Sequence, residues 1–378
     1  MNEQINDYMY EITNLDFIQA LKMTFVHMTL CLVVLGIIVF FQWFSIFHQY
    51  MEYIYFLMIQ IMYAFHYIQK KQMNPIFIIF SIILSITFLC DNKSYTIMTL
   101  TLPVLFIQMI GLAIIHRMTI YLEKNIHFFI EPIETYLKQL LPVMGTTLLM
   151  LGMVFLQDMY VHILVAFMQS CLSFFASLAG VLIIVSLTCL FWLSGIHGVA
   201  MVGIIVRPFW TQMLMVNLIC YINHQTIPYI GVEGFYQWFV WIGGSGATLG
   251  LVLLCRFFAR SCHLKQMGHQ TLHSGLMNIN EPVIFGAPIV QNRYLRIPFL
   301  VAPILMSFCT YMMMVYHYLD IPVLLAPWLL PSVVGGFWAT GGQIFSILYI
   351  IGMIIISMMV YLPFFICYDR QLVKEENS

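Results

Sequence analysis

Asn278-Ile279-Asn280-Glu281-Pro282-Val283-Ile284-Phe285-Gly286-Ala287-Pro288 sets two amides and a carboxylate between long apolar runs, then breaks the backbone three times. Proline removes an amide donor and clashes with the preceding turn, so Pro282, Gly286 and Pro288 argue against an uninterrupted helix. In lipid, irregular backbone is tolerated only where it is buried in protein or lines a watery cavity. A carboxylate near the bilayer centre costs roughly 3 kcal/mol on insertion scales, so Glu281 needs a partner or a cavity. The plainer reading is that Asn280 and Glu281 cap a helix whose first residue is Pro282. Capping and ligand binding can coexist. The stretch reads as a site.

The surrounding runs set the class. Of 378 residues 62% are hydrophobic and 8% charged, against about 25% charged in soluble domains. With a mean hydropathy of +0.92 and repeated apolar runs of spanning length, the chain reads as an all-α polytopic membrane protein in a lipid bilayer. The net charge of -1 offers no basic field for nucleic acid. Nine cysteines are scattered without a CxxC pair, mostly in apolar runs, and point to neither disulfides nor a metal. Glu3, Asp7, Glu11 and Asp16 near the start are wrong for a cleaved signal peptide.

In order, a polar lead-in over residues 1–24 precedes apolar runs near 25–47, 52–68, 75–90 and 96–116. Residues 117–138 read as an interfacial amphipathic segment and 141–157 as a further span. An amphipathic linker over 159–178 joins residues 1–158 to a second half, 179–370, with a tail at 371–378. In that second half, spans near 179–194, 209–222, 243–258 (opened by the glycine string Gly243–Gly250), 297–316 and 344–366 alternate with glycine- and proline-rich breaks. Residues 259–277 read as a hydrophilic loop and 320–343 as a re-entrant hairpin or broken helix. The reading is about ten transmembrane helices with re-entrant hairpins and amphipathic linker helices. Arg256, Arg260 and Lys265 before the quoted stretch, and Arg370 and Lys374 after the last span, place both regions in the cytoplasm.

Other residues invite chemistry. His197, between Gly195 and Gly198 at the end of an apolar run, is either a packed histidine at a helix break or a ligand; neutral imidazole offers both a donor and an acceptor to a hydroxyl. Gly243 to Gly250 contains two small-xxx-small pairs, for close helix packing or for bare backbone near a ligand, and no Gly-Lys-Ser/Thr follows to cradle phosphate. His263, His269 and His273 lack an i, i+4 pair beside a carboxylate, so they do not read as a metal site. Trp328 can stack on a sugar face, pack, or sit at the membrane interface.

Asn280-Glu281-Pro282-Val283-Ile284-Phe285-Gly286, followed by Pro288-Ile289-Val290 and Asn292, resembles the signature of the sugar permease (enzyme IIC) of the bacterial phosphotransferase system, lactose/cellobiose/diacetylchitobiose branch. The resemblance covers residues 179–370 and includes Trp192, Gly195-Ile196-His197-Gly198, Pro208, Asn217, Gly243–Gly250 and Ala326–Pro331. It departs at Leu329 and Leu330, where the family carries threonines, at Asn292-Arg293, and in a shortened first half with His27-Met28 and Leu35-Gly36.

The resemblance implies a multi-pass bacterial plasma-membrane protein with a cytoplasmic C-terminus. Residues 1–158 would form a dimerising scaffold and 179–370 a substrate-binding transport half, in a homodimer. A disaccharide such as cellobiose, diacetylchitobiose or lactose would be carried across and phosphorylated by a phosphocysteine of a separate IIB protein, itself supplied by IIA. His197 and Glu281 would hold the reacting hydroxyl, with Asn280, Asn278, Gly244, Ser245 and Trp328 around the sugar. No cofactor and no catalytic residue on this chain is implied. The alternatives are a non-transporting IIC-like paralogue serving as sensor or partner, and a membrane acyltransferase using His197.

Overall fold

The computed structural model describes residues 15–40, 45–73, 96–125 and 157–377, with scattered positions between 75 and 86 and between 141 and 148. Among them every regular element is helical. They are α1 (Asp16–Phe40), α2 (Ser45–Lys70), α3 (Ile97–Asn125), α4 (Gln157–Ala176), α5 (Leu178–Leu193), α6 (Gly198–Ile222), α7 (Leu249–Phe258), α8 (Cys262–Leu276), α9 (Glu281–Gly286), α10 (Arg296–Val315), α11 (Ser332–Ala339) and α12 (Ile344–Glu376). A short α turn at Glu233–Phe235 runs into a π turn, Tyr236–Val240. Among the described residues four helices are long and apolar enough to cross a membrane: α6, α10, α12 and the Ile97–Leu122 part of α3. The bent pair of α4 and α5 would make a fifth. The expected runs at 75–90 and 141–157 and most of the 117–138 segment lie outside the described residues.

The chain divides into two compact units, one built mainly of residues up to Cys171 and one from Leu172 onward. In the first, Phe56 of α2, Leu100, Val104 and Ile107 of α3 and Val161 and Val165 of α4 form a buried apolar cluster. A polar seam runs beside it. The Gln60 amide donates to the Thr101 carbonyl (3.2 Å) and the Gln108 amide to the Gln60 carbonyl (3.0 Å), which satisfies groups that hydrocarbon cannot.

Several sequence expectations change. Residues 16–24 belong to α1 and are no lead-in: Ala20, Thr24 and Met28 are buried one turn apart, and Asp16 is neutralised by an ion pair with Lys71. Arg117 to Asn125 continue α3 without a break, with Lys124 in the last turn, where the helix dipole favours a cation. The hydrophilic stretch 259–277 is mostly the helix α8, because Leu264, Met267, Thr271 and Gly275 recur at helical spacing on a buried face.

In the second unit α12 is the longest helix, and α7, α10 and α11 all pack on it. Gly250 of α7 permits one such approach: a Cβ there would lie 2.4 Å from Ser357 Oγ and 2.7 Å from the Met358 nitrogen. The glycine-rich string does not open a span at Gly243 as its composition predicts. Gly243, Gly244, Gly246 and Ala247 hold φ of +81°, +94°, +87° and +55°, left-handed values that interrupt a helix. Helix α7 therefore starts at Leu249.

Candidate functional site

The site grows from a broken helix. α5 ends with Gly195 at φ +83°, and the Ile196 N–H reaches back to the Phe191 carbonyl (2.9 Å) while Gly195 N–H reaches Trp192 (2.9 Å). That closure reverses the chain, and glycine is the residue that tolerates it. His197 then N-caps α6: the Ala200 N–H donates to its Nδ1 at 3.2 Å. Because Nδ1 is the acceptor, the neutral ring carries its proton on Nε2. Trp192 lies against the imidazole, ring centroids 4.5 Å apart. A side chain at Gly198 would strike the Thr188 carbonyl at 2.0 Å and the Trp192 ring at 2.8 Å.

Nε2 of His197 faces Glu281 Oε1 at 3.3 Å. Residues far apart in sequence thus meet. Both side chains stay open, 49% and 41% exposed. At 3.3 Å the contact is longer than the usual 2.7–3.2 Å N–H···O bond. A hydroxyl seated beside both could accept from Nε2–H and donate to the carboxylate.

Glu281 is the first residue of α9, with Pro282 beside it. Neither Asn280 nor Glu281 makes a side-chain capping bond, so the simple capping reading does not hold. The Asn280 amide instead donates to the Ser245 carbonyl at 2.7 Å, with the Asn280 side chain 2.5 Å from where a Gly244 Cβ would stand. Asn278, itself left-handed at φ +60°, ties three segments together. Its Oδ1 accepts from Gly243 N–H (2.9 Å) and from Ser332 Oγ (2.7 Å), and its Nδ2 donates to the Leu330 carbonyl (3.2 Å). Asn280 and Ser245 are buried, at 4% and 3% exposure. The structure therefore brings Asn278, Asn280, Gly244 and Ser245 together as a frame under Glu281. Among the described residues no hydrogen bond or ring contact joins Trp328 to His197 or Glu281; Trp328 is exposed, two residues before the Leu330 tie.

Sequence reasoning did not assign the partners of several polar residues in this half. Ser357 Oγ donates to the Ala247 carbonyl (2.6 Å) and Tyr361 Oη to the Gly246 carbonyl (2.8 Å), one turn apart on α12. Arg207 of α6 pairs with Glu233 at 3.3 Å. Asn217 holds both the N–H and the carbonyl of Tyr229 and also donates to the Pro322 carbonyl. A polar residue inside an apolar run was the available signal for Arg207, Asn217, Ser357 and Tyr361.

A family model described as "Phosphotransferase system, EIIC" matches residues 94–303, more than half of the chain. The chain belongs to the phosphotransferase system EIIC family. This EIIC chain is 38% identical to the lichenan permease IIC component of Bacillus subtilis (strain 168) over 203 residues, 53% of this chain and 45% of that one. It is 36% identical to the cellobiose-specific EIIC component of Geobacillus stearothermophilus over 206 residues, 53% of this chain and 46% of that one. The chain spans less than half the length of these curated relatives. The crystal structure of ChbC, the IIC component from the N,N'-diacetylchitobiose-specific phosphotransferase system, superposes with a TM-score of 0.81 at 21% identity, over 100% of this chain and 99% of that one. The EIIC chain thus has the ChbC fold, and its apolar helices make it a multi-pass membrane protein.

Proposed function

We propose that this chain is the membrane permease of a phosphoenolpyruvate-dependent phosphotransferase system for a β-linked disaccharide, and that His197 and Glu281 hold the hydroxyl that receives phosphate. The observation that carries the reading is the open His197–Glu281 pair at 3.3 Å on a rigid frame. The relatives named for lichenan and cellobiose, and the neighbour named for diacetylchitobiose, supply the substrate class. In the transfer, the sugar oxygen bonds to the phosphorus of a phosphocysteine on a IIB partner as the P–S bond breaks. The hydroxyl proton passes to Glu281 and the cysteine leaves as thiolate. Apart from accepting that proton, this chain contributes positioning. In the same reading residues 179–370 form the transport half, residues 1–158 a homodimer scaffold, 159–178 the linker, and the tail from 371 is cytoplasmic.

Uptake of labelled cellobiose into cells with and without the general phosphotransferase proteins tests this. Accumulation of the sugar phosphate should require the relay. Uptake that persisted without the relay and followed a proton or sodium gradient would overturn the reading.

A further inference from the structure

Helix α8 opens with four successive backbone N–H groups, Ser261 to Leu264, that its own first turn cannot bond, preceded by the Arg260 N–H. Asp369 accepts from Arg260 (3.1 and 3.0 Å to its two oxygens) and from Ser261 (2.9 Å). Glu376 accepts from Cys262 (2.9 Å) and His263 (3.0 Å). Ser261 Oγ accepts from Leu264 (3.4 Å). Asp369 and Glu376 are seven residues apart, so they lie on one face of α12, two turns apart. Two carboxylates at the positive end of a helix dipole complete the clasp.

The clasp orients one side chain. With its backbone fixed by Glu376, His263 turns its imidazole to α9, where Nε2–H donates to the Gly286 carbonyl at 3.0 Å. That carbonyl closes the C-terminal end of the six-residue helix that begins with Glu281. Met267 of α8 lies beside it, 3.1 Å from where a Gly286 Cβ would stand. The short helix is thus pinned at both ends, by Asn280 on Ser245 and by His263 on Gly286.

We infer that His263 is a positioning residue for Glu281, held in register by the α12 carboxylates Glu376 and Asp369. The inference rests on the sugar-binding reading of Glu281. A rod of one and a half turns fixed at one end can swing, and a small displacement of the Glu281 carboxylate is magnified at a reacting hydroxyl. His263 is on the protein surface, so its replacement leaves the core intact.

Purified protein in detergent, titrated calorimetrically with cellobiose and followed by amide hydrogen exchange without sugar, tests the pin. His263→Ala should speed exchange across Val283–Ile289 and weaken cellobiose about fivefold, the value of one hydrogen bond. His263→Gln, which keeps an N–H donor, should restore both. Glu376→Gln should speed exchange at Cys262 and His263 and, to a smaller extent, across Val283–Ile289. In a Glu281→Gln background His263→Ala should weaken binding no further. Unchanged exchange across Val283–Ile289 in His263→Ala overturns the inference, as does a fivefold loss that persists in the Glu281→Gln background. If Glu281→Gln alone binds cellobiose like the parent protein, the sugar reading fails separately, and the exchange result by itself decides the pin.

Discussion

Replacing Asn280 by aspartate distinguishes a strut from a cap. A capping residue tolerates the change, because aspartate is as good an N-cap as asparagine and its charge suits a helix N-terminus. Asn280 acts differently in the structure, where its Nδ2 donates to the Ser245 carbonyl at 2.7 Å in a site only 4% exposed. Aspartate removes that donor and sets a carboxylate oxygen against a carbonyl oxygen. The lost bond is worth about 1 kcal/mol and the stranded buried carbonyl about 1–3 kcal/mol more. With about 2–4 °C per kcal/mol for a unit of this size, the apparent melting temperature should fall by about 4–16 °C. The assay is thermal unfolding of the detergent-purified protein beside hydrogen exchange over residues 241–248, which should rise together with the loss of stability. Asn280→Asp with the parent melting temperature and unchanged exchange would refute the strut.

Gly246→Ala should be destabilising by about 1–3 kcal/mol, because a Cβ there would sit 2.2 Å from the Phe299 ring at a φ of +87°; thermal unfolding reads it. The Cys262 and His263 N–H bonds hold the Glu376 carboxyl below the ordinary carboxylate range. Its contribution is therefore fully present above the unfolded-state value and lost as pH falls through the lower folded-state value. Exchange at the start of α8 should rise through that acidic window in the parent protein and be less pH-dependent in Glu376→Gln. Cysteines placed at 266 and 374 in a cysteine-depleted background should resist an impermeant reagent in intact cells, since basic residues collect around both; labelling of either from outside contradicts a cytoplasmic tail.

How much was legible depended on how locally each signal was written. The proline and glycine breaks around Glu281 and the Gly195–Gly198 interruption at His197 are local backbone chemistry, and both sit where the sequence put them. The roles of Asn278 and Asn280 were not local. They depend on Gly243, Ser245, Leu330 and Ser332, 35 to 54 residues away in sequence. Helix α8 was hidden by its hydrophilic composition, although Leu264, Met267, Thr271 and Gly275 carried the period. Its caps come from Asp369 and Glu376, more than 100 residues later. The glycine string misled for a related reason: small residues at four-residue spacing suit both a close-packed helix and a left-handed turn, and the Tyr361 and Ser357 bonds to its carbonyls favour the turn.

Whether His197 and Glu281 together hold one sugar hydroxyl is measured most directly by calorimetric titration of cellobiose. The parent protein, Glu281→Gln, His197→Gln and the double variant are compared, with size exclusion as the fold check. Each single change replaces or weakens a charge-assisted contact, so affinity should drop about five- to tenfold. The double variant should lose less than the product of the two, because both groups act on the same hydroxyl. Parent affinity in both single variants would contradict a shared hydroxyl.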